Sequence, residues 1–412
     1  MNYRTLMAVA LLAAFAADAQ AQITIPTTYS VTGQQPYDLG TLGGDQSEAL
    51  DINDGGDIVG WAQDGANKKR AFIRLVDLGY LLALADGSVS FISARATGIT
   101  NNRVVVGSYF EYDWLGGPYD HGFYYYPGIW MSDINNNGFG LGLPWTTQPL
   151  AINNPEYIVG RGKVPAAYDS PDTTGVCYTD WVPLFWDGAG QDPFYLNCYP
   201  DPDNNHVGYL GVMPGAKDIN DSNWIVGADG GHSTLAMFLR KGQFAIDNTP
   251  VPKPSGSPNG LFGSANGINN AGKVVGAYGY SASGSSTPDL RAFFWDAITS
   301  SSTPIGMLSG GSWSVANEIN DQDMVVGTSD RNFALGGPGE SAYIFHINFG
   351  MVRLKAPGEG LLNSGIKNCQ ANSVNNRKSN NIVEVVGSCL FGAVRHAVLW
   401  QVTVVKKAAL NF

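Results

Sequence analysis

Charge is scarce in this sequence. Only 14% of its 412 residues are Asp, Glu, Lys or Arg, and they leave a formal net charge of −11. Such a chain lacks the basic surface that nucleic acid or an anionic membrane demands. Cysteine is nearly absent too, with four residues and no C-x-x-C spacing, which argues against a zinc site. Beyond the N-terminus no apolar run is long enough to cross a bilayer, so membrane insertion is not expected. There is no G-x-S-x-G, no Walker loop, no H-E-x-x-H and no glycine-rich strand-to-helix turn. No cofactor is implied, and no reaction class is named.

What is present points to export and to short strands. Arg4, the apolar run Leu6 to Ala17 and the small-x-small triplet Ala19-Gln20-Ala21 have the form of a secretory signal over residues 1–21. The mature chain would begin near Gln22, with no Cys there to carry a lipid. A secreted or periplasmic location follows. Gly is plentiful at 52 residues and aromatics make up 11%, a mixture suited to strands joined by tight turns.

A single pattern recurs seven times: a small residue, an Ile or Val, a polar turn, then Val-Gly. Its turns begin at Asn53, Thr100, Asn153, Asn220, Asn269, Asn320 and Asn375, and its Val-Gly pairs end at Gly60, Gly107, Gly160, Gly227, Gly276, Gly327 and Gly387. Each copy reads as a hairpin, with the Asn-Asn or Asn-Asp pair and a following Gly expected to supply the φ > 0 positions. A third strand follows at variable distance, as in Arg70-Ala71-Phe72-Ile73 and His396-Ala397-Val398-Leu399-Trp400. A fourth is visible at Pro304–Leu308 and Met351–Leu354. Seven copies of four strands predict an all-β fold: one domain over residues 22–412, a seven-bladed β-propeller of four-stranded antiparallel blades. An open solenoid is the rival. Gln35-Pro36-Tyr37-Asp38-Leu39-Gly40 precedes the first copy and resembles a fourth strand, so it is expected to close the ring by completing the last blade. Val402–Val405 competes for that slot.

Leu39-Gly40-Thr41-Leu42-Gly43-Gly44, the Ile-Asn-(Asn/Asp)-x-Gly turn, Val-Val-Gly and the third-strand segment ending in Trp resemble the bacterial extracellular HAF-repeat proteins. The resemblance covers most of the chain. It implies export and a repeat β-fold, with no established catalytic residues to carry over. The His-Ala-Phe namesake itself is approached only by His121-Gly122-Phe123 and His396-Ala397-Val398.

Two segments, Asp51–Asp57 and Asp133–Gly138, look like the start of a calcium loop. The same turn recurs at Asn153-Asn154 and Asn269-Asn270 without an acid before the Ile, and neither loop has Glu at its twelfth position. The element is turn chemistry, and no metal is expected. His121 shares a third-strand column with Arg70, Arg291 and His396, which marks it as structural.

The short Asn turns open on one face of the ring, and the longer, variable second connections open on the other. Function concentrates in variable loops on a rigid scaffold. On that second face, Trp114, Tyr119, Trp145, Tyr168, Trp181 and His206 of copies two to four are the candidate ligand-binding residues, interspersed with aspartates. Aromatic planes beside carboxylates suit sugar rings or a protein partner. The expected function is a binding or scaffold module for an extracellular glycan or protein. The alternative is a polysaccharide-degrading enzyme, lyase or glycosidase, using Tyr119, Arg161, Tyr168 or His206.

Four cysteines allow three pairings. Cys177 and Cys198 fall on the same face of the third blade; Cys369 stands before the first strand of the last blade and Cys389 after its second. The expected bridges are therefore Cys177–Cys198 and Cys369–Cys389. Non-reducing peptide mapping checks both, and a Cys177–Cys369 peptide would overturn the blade register.

Overall fold

A computed structural model describes residues 24–25, 28–84, 92–112, 118–128, 131–134, 146–162, 182–188, 194–195, 215–228, 237–241, 249–254, 263–280, 289–333, 337–359, 366–376, 381–407 and 410–411. They form seven four-stranded antiparallel sheets and one two-stranded ribbon. Blade 1 runs Gly43–Ile52, Ile58–Asp64, Lys69–Arg74 and Leu82–Ala83. Blades 2 to 6 repeat that up-and-down order, with first strands Ser93–Ile99, Thr147–Ile152, Gly215–Ile219, Gly263–Ile268 and Ser314–Ile319. Blade 7 takes three strands from the C-terminal part, Ile366–Val374, Ile382–Phe391 and Val394–Lys407, and its fourth, Thr28–Gly40, from the N-terminus.

The N-terminal strand therefore sits where the sequence places it. Pro36 faces Trp400, Tyr37 faces Leu399 and Asp38 faces Val398. It is longer than the expected segment, starting at Thr28. Val402–Val405 lie in the third strand, between that N-terminal strand and Ile382–Phe391. Beyond it, Thr24–Ile25 pairs with Leu410–Asn411.

Apolar side chains cluster between neighbouring sheets, one cluster per junction. Val106 and Ile134 of blade 2 meet Ile158, Leu184 and Trp186 of blade 3, for example. Val386, Ala397 and Leu399 of blade 7 meet Ile52, Ile58 and Phe72 of blade 1. That last junction joins the end of the chain to its beginning, which an open solenoid would not do.

The repeat itself has a stereochemical cause. Every first strand carries a β-bulge at the same place, at Leu50, Thr97, Leu150, Lys217, Asn266, Asn317 and Asn372. A bulge swings the backbone toward the partner strand. The partner there is the glycine of Val-Gly: a Cβ on Gly60 would lie 2.0 Å from the Glu48 carbonyl oxygen, and one on Gly387 would lie 1.9 Å from that of Gln370. The residue before each bulge, Ala in six blades and Pro149 in blade 3, and the Gly of Val-Gly are two halves of one contact.

The turns correct one expectation. Positive φ falls not on the Asn-Asn or Asn-Asp pair but on the fourth turn residue, as at Gly56 (87°), Arg103 (67°), Glu156 (70°), Asn223 (62°), Gly272 (75°) and Asp323 (62°). Only two of these are glycine. The asparagines have another task, described below. The Cys369–Cys389 bridge is present, and both residues lie inside their strands as direct cross-strand partners, not beyond the strand ends. Cys177 and Cys198 lie outside the described residues.

Substitution Gly276→Ala, whose Cβ would lie 2.0 Å from the Ser264 carbonyl oxygen, should destabilise the fold by more than about 2 kcal/mol. Gly65→Ala, with open space around the new Cβ, should change stability by less than about 0.5 kcal/mol. Denaturant unfolding of the two variants checks the bulge argument.

Candidate functional site

The first strands of all seven blades converge on an axial channel, and its two ends differ in chemistry. At the end where the Asn turns open, a ring of side chains ties the blades together. The Asp54 backbone N–H donates to Asn101 Oδ1, Asn101 to Asn154, Asn154 to Asp221, Asp221 to Asn270, Asn270 to Asp321, Asp321 to Asn376, and Asn376 back to Asp54, each at 2.9 Å. Just inside it lies a second ring of buried asparagines. Asn153 Nδ2 donates to the Asn220 carbonyl, Asn220 to Asn269 (both 2.9 Å), Asn269 to Asn320 at 3.1 Å and Asn320 to Asn375 at 2.8 Å. Each of these asparagines also accepts from an amide across its own turn, four residues on in Asn153 (Tyr157, 2.8 Å) and nine residues on in the longer last turn, where Asn375 accepts from Glu384 at 2.8 Å. This ring is interrupted where blade 2 has Thr100, whose hydroxyl accepts only its own Val104 amide at 3.0 Å.

Beneath these rings, Asp51, Asp218 and Glu318 face a small cavity of about 170 Å³. They do the work of ties as well. Asp51 Oδ2 accepts the Ile99 amide of the next blade at 2.9 Å, and Asp218 Oδ2 accepts that of Ile268 at 2.7 Å. Glycine stands opposite to make room: a Cβ on Gly267 would press on Glu318 Oε1 at 2.9 Å. Burial pushes the Asp51 carboxyl up to about 6 against the pull of its hydrogen bonds. Burial likewise pushes Asp218 up to about 7, with the Asp51 and Asp221 charges adding to it, and raises Glu318 well above the carboxylate range. In the first calcium-like segment, then, the Asp51, Asn53 and Asp54 oxygens are spent on backbone amides and on the next blade. Among the described residues no group of three His, Cys, Asp or Glu side chains is arranged to hold a metal ion.

The opposite end, where the variable second connections open, is basic. A cavity of about 650 Å³ is lined from all seven blades, and its cations are Arg95, Arg161 and Lys217 of blades 2, 3 and 4. No carboxylate and no histidine is among its described lining residues. Trp313, Val315 and Leu290 give it apolar surface. Six of the seven bulge residues line it, so the bulge is what aims side chains at the axis. Thr97, Asn317 and Asn372 use that position to tie blades, donating to the carbonyls of Pro149, Ala371 and Ala49 at 2.8–2.9 Å. Lys217 stands in the same column and makes no such tie. Arg161 Nε donates to Gln148 Oε1 at 2.8 Å, and Gln148 in turn to Asp120 at 2.7 Å. Gly215 of the next blade leaves space for the Arg161 stem, since a Cβ there would lie 3.3 Å from Arg161 Cβ. Burial and the nearby Arg161 charge push the Lys217 ammonium down to about 8. Burial and Arg95 likewise lower Arg161. A side cavity of about 280 Å³ adjoins at Arg95, lined also by Trp61, Lys69, Phe110 and Asp120. Lys69 covers the Trp61 ring at 3.9 Å.

Of the residues singled out from sequence, Trp114, Trp145, Tyr168, Trp181 and His206 lie outside the described residues. Tyr119 is in the strand Pro118–Tyr125 with its backbone opposite Glu111. Arg161 is in the axial cavity. Lys217 and Arg95 were missed, although Lys217 breaks an otherwise Leu, Thr or Asn column. His121 stacks on Tyr109 at 5.0 Å, with Glu111 at 3.2 Å and Asp133 at 3.4 Å. Burial opposes its charge, but Asp133, Glu111 and Asp120 outweigh it and raise its pKa. Arg70 and His396 of the same column are likewise paired with carboxylates, Asp64 (2.9 Å) and Asp38 (3.0 Å).

No protein-family model matches the sequence, and no curated protein does. Among solved structures the chain is similar to the GH74 xyloglucanase from Xanthomonas campestris, with a TM-score of 0.48 and 10% identity over 86% of this chain and 53% of that one. It is also similar to the Trypanosoma rangeli sialidase, with a TM-score of 0.34 and 10% identity over 90% and 60% of the two chains. A third is AofleA from Arthrobotrys oligospora, with a TM-score of 0.34 and 9% identity over 80% and 90%. The chain thus spans little more than half of the first two proteins. Identities near one in ten transfer no residue role to it.

The raised carboxyls give a pH dependence. Groups with a folded pKa above the unfolded value of about 4 stabilise fully below that value, and the contribution is lost as pH rises through about 6 to 7. Carboxylates held low, such as Asp57 and Glu359, keep their contribution throughout that window. Glu318→Gln retains the Oε1 acceptor for the Ile319 amide and removes the charge. Its melting temperature should exceed that of the parent at pH 8 and match it near pH 5. An equal difference at both pH values would exclude a neutral Glu318.

Proposed function

We propose that this chain is a secreted binding module: a closed seven-bladed ring that presents an extracellular glycan or protein ligand site on the face where the variable loops open. The observation that carries this reading is the 650 Å³ axial cavity on that face, a size within the usual small-ligand range of about 300–1,000 Å³. The remaining features support it. The Asn turns of the other face are occupied with holding the ring, while blades 2 to 4 give the cavity its charged side chains. The signal-like N-terminus and the Cys369–Cys389 bridge fit an oxidising compartment, and no helix among the described residues is long and apolar enough to cross a membrane. Membership of the HAF-repeat proteins belongs to the same proposal. Trp114, Tyr119, Trp145, Tyr168, Trp181 and His206 are assigned to the rim of this face, and Cys177–Cys198 would pin it.

A hydrolase or lyase on the same face is the competing reading. A glycosidase commonly needs two carboxyl groups flanking the scissile bond, and the described lining of the axial cavity offers none. Co-sedimentation with a panel of acidic and neutral polysaccharides, assayed for new reducing ends, tests the choice. Retention without reducing-end release is expected. Turnover would replace the binding reading, and Trp114→Ala, Trp145→Ala and Trp181→Ala should each weaken retention while leaving the melting temperature nearly unchanged.

A further inference from the structure

We infer that the axial cavity takes an acidic sugar unit, its anionic group held by Arg95, Arg161 and Lys217. The inference rests on the binding reading and names the ligand class for the same site.

The argument begins with a cost. Three cations from three successive blades converge in one cavity of a protein whose net charge is −11. Charges gathered in a partly desolvated space are costly: burial first, and the neighbouring like charge second, lower the affinity of Lys217 and Arg161 for their protons. Packing does not demand the arrangement. At the bulge position of Lys217 the other blades use Leu, Thr or Asn, and Asn317 and Asn372 there tie one blade to the next. Gly215, too, is small where it makes room for Arg161. Some carboxylates stand close by, but each acts through an amide: Asp120 through Gln148, and Glu340 through Gln370. Neither lines the cavity. An anion entering it would be met by up to three charge-assisted hydrogen bonds in a low-dielectric space.

The rest of the lining narrows the class. Trp313, with Val315 and Leu290 of blades 5 and 6, offers apolar surface in the same cavity as the cations, and Thr328, Asn317, Gln370 and Asn372 bring hydroxyl and carboxamide groups. An anionic group, an apolar ring face and a rim of hydroxyls describe a uronic acid or a sulfated sugar better than an acidic peptide, whose extended chain needs a groove and not a central well. The anion is a carboxylate or a sulfate ester.

The test uses the full mature chain in titration calorimetry with three probes: trigalacturonate, its fully methyl-esterified form, and a sulfated neutral trisaccharide. At least one acidic probe should bind, more weakly at high salt, and the methyl ester should bind at least tenfold more weakly than trigalacturonate if carboxylate is the anion. The acidic probe that binds identifies the anion. Lys217→Asn installs a residue the fold already uses at that bulge, so its melting temperature should not fall, while affinity for the acidic probe drops at least tenfold. Arg161→Gln should do the same. Equal affinity for acid and ester with no binding of the sulfated sugar, no binding of either acidic probe, or full affinity in Lys217→Asn would overturn the inference. Tight binding of neutral glycans untouched by Lys217→Asn would overturn it and leave the binding module standing. Reducing-end release from trigalacturonate would do the reverse.

Discussion

The fold depends on hydrogen bonds that run around the axis from blade to blade. A sheet held to its neighbour by apolar contact alone can slide, because dispersion and desolvation have little directional preference. A backbone N–H aimed at a side-chain oxygen 2.9 Å away cannot. Seven such bonds, from Asp54 through Asn376 and back, fix the angle between each pair of blades and the number of blades together. The ring also explains why Asp and Asn share its positions. Every member must accept from a main-chain N–H, which both can do. An Asn can then donate to a neighbouring Asp, as Asn101 does to Asp54 and Asn154 to Asp221, both at 3.1 Å. No two aspartates are adjacent, so charge repulsion is avoided at the crowded end of the channel.

The bulge couples this scaffold to the cavity. It brings the first-strand backbone so close to its partner that only glycine fits opposite, and the same distortion turns one side chain per blade toward the axis. In most blades that side chain is spent on stability, as ties from Thr97, Asn266, Asn317 and Asn372 to the next blade. Once the ring is over-determined by its asparagines, one blade can give up its tie and place a Lys there at small cost. Local departures from a repeat are the natural place for chemistry.

That logic bears on how far the sequence could be read. Blade count, strand order, the N-terminal fourth strand and the Cys369–Cys389 pair were legible because each follows from local register: hydrophobic alternation, turn spacing and strand adjacency. The task of the asparagines was not, because a turn residue that bonds its own loop and one that bonds the next blade look alike in sequence. Nor did the turn itself need glycine at the left-handed position, where Arg103 and Glu156 are held by partners, Asp57 at 2.8 Å for the former. Of the cavity's three cations the sequence reading named only Arg161. Attention to aromatic loops passed over Arg95 and Lys217, which lie in strands and look like surface charge until the fold places both in the axial cavity, Lys217 at its blade's bulge and Arg95 two residues before one. The signal was available as a column: Ala-Lys-Asp-Ile at 216–219 against Ala-Asn-Gly-Ile at 265–268 and Ala-Asn-Glu-Ile at 316–319.

The two ends of the channel must finally be weighed against each other, since both collect like charges. At the acidic end Asp51 and Asp218 each accept backbone amides of their own and the next blade, and burial raises their pKa values, so that part of the charge there is lost near neutral pH. Amide donors already occupy these carboxyl groups. At the basic end the same relief is poorer. An Arg does not lose its proton near neutral pH, and a Lys with a pKa of about 8 keeps most of its charge at pH 7. An anion entering the cavity would meet that charge, as the proposed binding of an acidic sugar requires. On the proposed reading the asymmetry also sets direction: an acidic ligand would be repelled by the carboxylates at the turn end and would enter from the basic end, past Arg95, Arg161 and Lys217.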